Sequence, residues 1–320
     1  MLNPTHLQTL RMVVAEGSFA GAARTLGYTA SAVSQQIATL EEEVGFPLFD
    51  RRARATVATP EALMLADESA EVLGMLEDLG SLVGDIAHGR RSHVVIGSFP
   101  SASEHLLPRA LTALRRSGRV AVELHEDEPQ RLLPSLVDRQ LDLVLAYEYD
   151  LVPLRWPGGM LRDTLLSEEL VLVAPASRTS LGERPRLADL ADEVWMCTAL
   201  DSDGSVCLER ACAAAGFVPN VAFRSNDYDV VHRLVGAGHG VALVPGMAVR
   251  PAPDIRVLRP EGLDLFRHVS VLRRGGAAKP ALSAMDAALR DSAHALAAEA
   301  DWLTGPSTRD ADAWLRDSRD

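Results

Sequence analysis

Lysine is nearly absent from this 320-residue chain: Lys279 is the single one, and arginine supplies 31 of the 32 basic side chains. That scarcity excludes two kinds of chemistry. A Schiff base to pyridoxal phosphate and a P-loop each require a lysine. Lys279, in Gly-Gly-Ala-Ala-Lys-Pro, fits neither. Long apolar runs are missing too, and nothing approaches the roughly 18 residues that cross a bilayer. The opening stretch MLNPTHLQTLRMVVAEGS has no basic region before its apolar positions. It reads as an amphipathic helix, not a signal peptide, so a cytoplasmic location is expected. Histidines are scattered, and the closest pairs, His88/His93 and His232/His239, lack a chelating partner set. No HExxH, GxSxG or GxGxxG stands in a supporting context. Gly236, Gly238 and Gly240 imitate a phosphate loop but follow a helix and precede a strand, the reverse of the required order. They read as a helix stop and tight packing. The expectation is a protein that is not an enzyme, with no cofactor and no metal.

What is present is a globular composition, 47% apolar and 24% charged, with length for two or three domains. The most informative stretch is SFAGAARTLGYTASAVSQQIATLEEEVGFPLFDRRARATVATP, residues 18–60. Ser18 caps a helix from Phe19 to Leu26, and Gly27 stops it. Thr29 caps a second helix to about Val44, ended by Gly45 and Pro47. Val33, Ile37, Leu40 and Val44 share one stripe, to pack on Phe19, Ala22, Ala23 and Leu26. The opposite side carries Ser31, Gln35, Ala38 and Glu42, flanked by Ser34 and Thr39. That short polar side, led by Thr29, Ala30, Ser31 and Ala32, suits a major groove. A hairpin-like segment follows with Arg51, Arg52 and Arg54, placed for phosphate or minor-groove contact. The reading is a winged helix-turn-helix that binds double-stranded DNA.

Order and spacing here resemble the LysR-type transcriptional regulators, down to Thr59-Pro60 opening the next helix. The resemblance implies an N-terminal winged helix-turn-helix, a long linker helix and a two-lobed effector domain like a periplasmic binding protein. It also implies a small-molecule effector between the lobes, self-association as homodimer or homotetramer, and RNA polymerase as a further partner. Two positions depart from the family: Ala30 stands where glutamine is frequent, and Gln35 where arginine is frequent. Ala30 offers only apolar contact to a thymine methyl, whereas Gln35 can pair with adenine.

Net charge is −12, unusual for a DNA binder. Residues 1–58 hold five arginines against five acids. Affinity must therefore come from local placement of arginines, helix N-termini and dimerisation, with a modest salt slope.

Residues 60–88 read as one helix with apolar positions at Leu63, Ala66, Ala70, Leu73, Leu76, Leu79, Val83 and Ile86. That narrow stripe suits a two-helix seam. Gly74, Gly80 and Gly84 each cost about 1 kcal/mol against alanine, so the helix needs a partner. Residues 89–92, Gly-Arg-Arg-Ser, read as a hinge. Beyond them strands alternate with helices, predicting open, mainly parallel sheets in two lobes. The divisions are 1–59 for DNA binding, 60–89 for linker and hinge, and 90–300 for the effector domain. Lobe I takes about 93–166 and 269–300, and lobe II about 167–268. LVGAGHGVALVP at 234–245 and LDLVLAY at 141–147 match the family's effector domain. The tail 301–320 reads either as disordered or as docking Trp314 and Leu315 on a neighbouring subunit.

Matching the family, the first-lobe effector residues are Ser98, Pro100, Ser101, Ala102 and Ser103, at a helix start that favours a hydrogen-bond acceptor such as a carboxylate. The opposite wall takes Thr198, Ser225 and Asn226. Asp127 and Glu128 stand where such regulators often place a small hydroxyl residue. With Asp201, Asp203, Asp227 and Asp229 they read either as solvated caps and loops or as a mouth that repels polyanions. The latter favours a zwitterionic, cationic or neutral metabolite. Cys197, Cys207 and Cys212 supply an alternative mechanism, since some members of the family sense peroxide with paired cysteines. Against it, Cys207 and Cys212 are five apart, about 140° around a helix. A constitutive architectural DNA binder without effector is the other alternative.

Overall fold

A computed structural model of the chain describes residues 2–50, 56–88, 92–117, 120–275 and 280–305. Two compact units form, one from Met1–Arg90 with Gly275–Lys279, the other from Arg91–Arg274 with Pro280–Asp320.

The first unit is helical. α1 (Pro4–Glu16) is capped by Asn3, α2 (Phe19–Leu26) by Ser18, and α3 (Ala30–Val44) by Thr29. Each ends on a glycine in the left-handed region, and the caps and stops of α2 and α3 fall where the sequence places them. Leu7, Leu10 and Val13 of α1, Ala22 and Ala23 of α2, and Val33, Ile37 and Leu40 of α3 form one core. Phe19 meets Phe49 edge to face at 5.2 Å, pinning the loop after α3 to the start of α2. An antiparallel bridge between Phe49 and Ala58 closes that loop, whose residues 51–55 lie outside the described set.

α4 (Pro60–His88) runs the full predicted length, but its stripe is divided. Ala66 and Leu73 are buried in the core of this unit, and Thr59 caps the start through Ala62 N at 3.2 Å. Leu76, Leu79 and Val83 are 43%, 55% and 57% exposed. Apart from Leu63, 51% exposed, the exposed members of the stripe therefore lie in the second half. The first half is held by its own domain because small Ala62 and Ala66 allow α1 to approach.

The second unit is α/β. Its strands are β1 (Ser92–Ser98), β2 (Val120–Glu126), β3 (Leu143–Tyr149), β4 (Met160–Pro175), β5 (Val194–Cys197), β6 (Asn220–Arg224), β7 (Val241–Pro245), β8 (Ile255–Leu258), β9 (Phe266–Arg274) and β10 (Leu303–Thr304). Its helices are α5 (Pro100–His105), α6 (Leu107–Ser117), α7 (Pro129–Val137), α8 (Asp203–Ala214), α9 (Tyr228–Gly236) and α10 (Pro280–Ala297). α5 and α6 are separate helices, because Pro108 has no N–H to donate to the preceding turn.

Residues 160–169 of β4 pair with β9 and β10, while 170–175 pair with β7 and β8. The chain thus leaves lobe I at Glu169–Leu170 and re-enters at Leu265–Phe266, three residues from each limit read in the sequence. Parallel pairing holds within β2-β1-β3 and β7-β5-β6, but β4 and β9 pair antiparallel. The sheets are therefore mixed, not mainly parallel. The two strands that carry the chain between lobes run in opposite senses.

β3 is buried on both faces, and its side chains alternate between two cores. Leu143, Leu145, Tyr147 and Tyr149 join the core that includes α6 and α10, while Val144 and Ala146 pack with α7. The two tyrosines therefore leave the carboxyl end of the strand on one side, next to the cleft. Gly240 has φ +155°, and a Cβ there would collide with the carbonyl of Val194. Tight packing, not phosphate binding, explains that glycine. The tail begins in the fold: Trp302 and Leu303 pack on β4, whereas Trp314 and Leu315 lie outside the described residues.

Candidate DNA-reading helix and effector cleft

In the first unit the reading face of α3 is open. Thr29, Ala30, Ser31, Ser34 and Gln35 are exposed and Ala32 is half-buried. Thr29 Oγ1 accepts from Ala32 N at 3.2 Å and meets Ser31 Oγ at 3.0 Å, ordering the first turn. The helix is oriented from behind: Thr9 donates to Gln36 Oε1 at 2.7 Å, and Glu41 accepts from Leu48 N at 2.8 Å. Gln35 and Gln36 thus divide their labour, one side chain to solvent and one to α1. Arg51, Arg52 and Arg54 lie outside the described residues.

In the second unit two adjoining cavities open where strands end, at the crevice typical of α/β sheets. The first encloses about 350 Å³, part of it open to solvent, between Pro100, Ser101, Glu128 and Arg267 of lobe I and Thr198, Ser202, Gly204 and Asn226 of lobe II. The second, about 410 Å³, lies deeper in lobe II among Leu170, Met196, Leu208, Val231 and Leu243. Tyr149, Thr198, Gly204 and Tyr228 line both.

Five of the ten effector residues read from the sequence meet in the first cavity: Pro100, Ser101, Glu128, Thr198 and Asn226. Ser225 lines the second. Ser98, Ala102, Ser103 and Asp127 line neither. Ser98 and Ala102 are fully buried, because β1 and α5 face the core there. Ser101 Oγ accepts from Arg267 Nη2 at 2.7 Å. α5 has only six residues, and the amide of Ser103 bonds back to Phe99 O at 2.9 Å. That is the first intrahelical bond; no side chain caps the start of the helix. In lobe II, Asn226 Oδ1 accepts from Ala199 N at 2.9 Å, and Thr198 and Ser202 share a hydroxyl contact at 2.6 Å.

The sequence reading missed the charged centre of the cleft. Arg267 is 2% exposed, yet it lies against the cavity with its guanidinium over Tyr147 at 4.8 Å and Phe99 at 5.1 Å. Its Nε donates to Glu168 Oε1 at 2.5 Å. Burial alone opposes the charge, but Glu168 and the flanking tyrosines hold the guanidinium above its ordinary pKa. Burial likewise raises Tyr147 and Tyr149 far above the usual phenol value and pushes Tyr228 up to about 12. All three phenols are hydrogen-bond donors at neutral pH, and Tyr147 donates to Glu128 Oε2 at 2.6 Å. A signal was present: Arg267 shares inward parity with Val269 and Val271 on an apolar strand.

The mouth carboxylates are mostly engaged. Asp203 accepts from Gln130 across the lobes, Asp227 caps α9, and Asp229 lies 3.8 Å from Arg250. Arg250 reaches back to Glu104 at 2.5 Å, a second tie between the lobes.

The thiols argue against the redox alternative. Cys207 and Cys212 are fully buried, and burial pushes each up to about 12. Cys197 is raised by burial as well. A sensor thiol needs the opposite shift.

Residues 4–63 match the bacterial regulatory helix-turn-helix of the lysR family, and residues 87–294 match the LysR substrate binding domain. The chain belongs to the LysR family. It is 30% identical to the HTH-type transcriptional regulator AlsR of Bacillus subtilis, over 76% of this chain and 80% of that one. A point mutant of full-length BenM superposes with TM-score 0.56 at 21% identity, covering 96% of this chain and 100% of that one. A mutant of Corynebacterium glutamicum OxyR gives 0.55 at 22%, covering 92% and 94%. This LysR-type transcriptional regulator therefore combines a helix-turn-helix DNA-binding domain with an α/β effector-binding domain. Among the described residues no helix is long and apolar enough to cross a membrane.

Proposed function

We propose that the protein acts in the cytoplasm as a homodimer or homotetramer without catalytic activity. A small molecule in the cleft would change the spacing of recognition helices along DNA and so the contact with RNA polymerase. Thr29, Ala30, Ser31, Ala32, Ser34 and Gln35 would read the operator, with Arg51, Arg52 and Arg54 on its backbone. The divisions 1–59, 60–89 and 90–300 remain the working assignment of DNA-binding, linker and effector segments. The observation that carries the reading is a cavity lined from both lobes at the carboxyl ends of the strands. A ligand there has differential contact with open and closed lobes, which population shift requires. Dimerisation is supported by the exposed Leu76, Leu79 and Val83 on α4.

Selection of binding sites from random DNA, followed by footprinting with and without candidate effectors, tests this. An operator whose protected length changes with a small molecule is expected. Equal affinity for selected and random DNA would overturn the specific-regulator reading. A constant footprint across all compound classes would leave only the architectural binder.

A further inference from the structure

We infer that the effector is an α-amino acid with an apolar side chain, its carboxylate on Arg267, its ammonium on Glu128, and its side chain in the deeper cavity of lobe II. This rests on the reading of the cleft as the effector site.

The two charges in the first cavity are each half-used. Arg267 gives Nε to Glu168 and Nη2 to Ser101, while Nη1 has no hydrogen-bond partner among the described residues. Glu128 accepts from Tyr147 at Oε2, while Oε1 has no partner among the described residues. Both residues line the same cavity. Tyr147 sets their separation, since the guanidinium lies over the ring face at 4.8 Å and Glu128 sits at the hydroxyl. Opposite charges thus border the same tyrosine, one over its face and one at its hydroxyl, and an ammonium and a carboxylate on one carbon can reach both.

Other ligand classes fit worse. A dicarboxylate brings a second negative charge toward Glu128, with the half-buried Asp203 beside it. A simple amine gives the Nη1 donor of Arg267 no ligand acceptor, and a simple carboxylate gives the Glu128 oxygen no ligand donor, so each forgoes one charge-assisted hydrogen bond. Glu168 already pairs the arginine's charge, and its second oxygen accepts from Met247 N at 2.8 Å, so what Arg267 offers a ligand carboxylate is the N–H donor at Nη1. The side chain can enter the adjoining deeper cavity. Tyr149, Thr198, Gly204 and Tyr228 line both cavities, and beyond them lie Leu170, Met196, Leu208 and Val231. Gly204 keeps that passage narrow but open: a Cβ there would stand 2.8 Å from Thr198 Oγ1.

The test is a thermal-shift and calorimetric panel on the full-length protein. Probes are the twenty amino acids, isovalerate as deaminated valine, isoamylamine as decarboxylated leucine, and succinate. An apolar amino acid should bind, with isovalerate and isoamylamine each at least tenfold weaker. Glu128→Gln should weaken the amino acid at least tenfold and leave isovalerate unchanged, with an unaltered apo melting temperature as the folding control. Gly204→Ala should discriminate against leucine more than against alanine. Binding of isovalerate or isoamylamine as tight as the amino acid overturns the inference, as does failure of all twenty. Succinate binding alone overturns it while leaving the cleft in place as the effector site.

Discussion

Glu168 and Arg267 are register partners on adjacent antiparallel strands, joined at 2.5 Å with exposures of 0% and 2%, where the chain passes between lobes. Glu168 also accepts from Met247 N in lobe II, so one carboxylate ties the cleft arginine to both lobes. Glu168→Gln keeps an acceptor for Met247 but leaves a buried cation unpaired, and should cost about 3–5 kcal/mol in urea unfolding. Combining it with Arg267→Met should cost less than the sum of the two single changes. Strict additivity would show that the two charges do not stabilise each other.

Acid should loosen the effector unit before its carboxylates protonate. His105 and His232 are both held below the ordinary imidazole value, chiefly by burial, with Arg250 adding to it. His232 shows why: one ring nitrogen lies 2.6 Å from Tyr228 O, and the other accepts from Arg250 N at 3.3 Å. A second proton removes that acceptor and sets a cation beside Arg250. The folded state keeps these rings neutral, while the unfolded chain takes protons near pH 6.5. Their stabilisation is therefore complete above about pH 6.5 and is lost as pH falls through the depressed folded-state values. Urea midpoints should drop between pH 7 and 5, and His232→Gln should flatten that drop. An unchanged slope would remove His232 from the account.

Much of the fold was legible because it is written in short-range signals. Ser18, Gly27, Thr29 and Gly45 act within one turn of themselves, and each cap lies where its residue type predicts. The cleft was half-legible for the same reason: Ser101, Thr198 and Asn226 follow strand ends. Arg267 and Glu168 were not, because their roles depend on pairing between segments 99 residues apart. Periodicity marks an inward side chain but not which neighbour neutralises it. The division of the α4 stripe was hidden likewise, since Leu73 and Leu76 look alike until the neighbouring helices are in place.

Peroxide should leave DNA binding unchanged. Cys207 and Cys212, pushed up to about 12 by burial, hold negligible thiolate at neutral pH. Alkylation of the native protein at pH 8 should be slow and become fast only in denaturant. Cys207→Ser should match wild type in mobility-shift titrations with and without hydrogen peroxide. A peroxide-dependent change that Cys207→Ser abolishes would restore the redox mechanism.

Operator choice should turn on Gln35. Its side chain is exposed on the first half of α3, while its neighbour Gln36 is tied to Thr9 at 2.7 Å, so the two glutamines are not equivalent. A glutamine amide pairs with adenine through two hydrogen bonds, and losing such a contact costs roughly 1–3 kcal/mol on the matching site. Gln35→Ala should therefore weaken the best operator by that amount and relax preference at one base pair. Gln36→Ala should instead lower the stability of the DNA-binding unit without changing which base is preferred. Arg54→Ala serves as the contrasting control. A phosphate contact carries no sequence information, so its loss should weaken all DNA similarly and reduce the salt slope by about one unit. Binding-site selection with each variant measures these outcomes. Unchanged base preference in Gln35→Ala would move the reading function to other positions on the face, with Ser31 and Ser34 next in line.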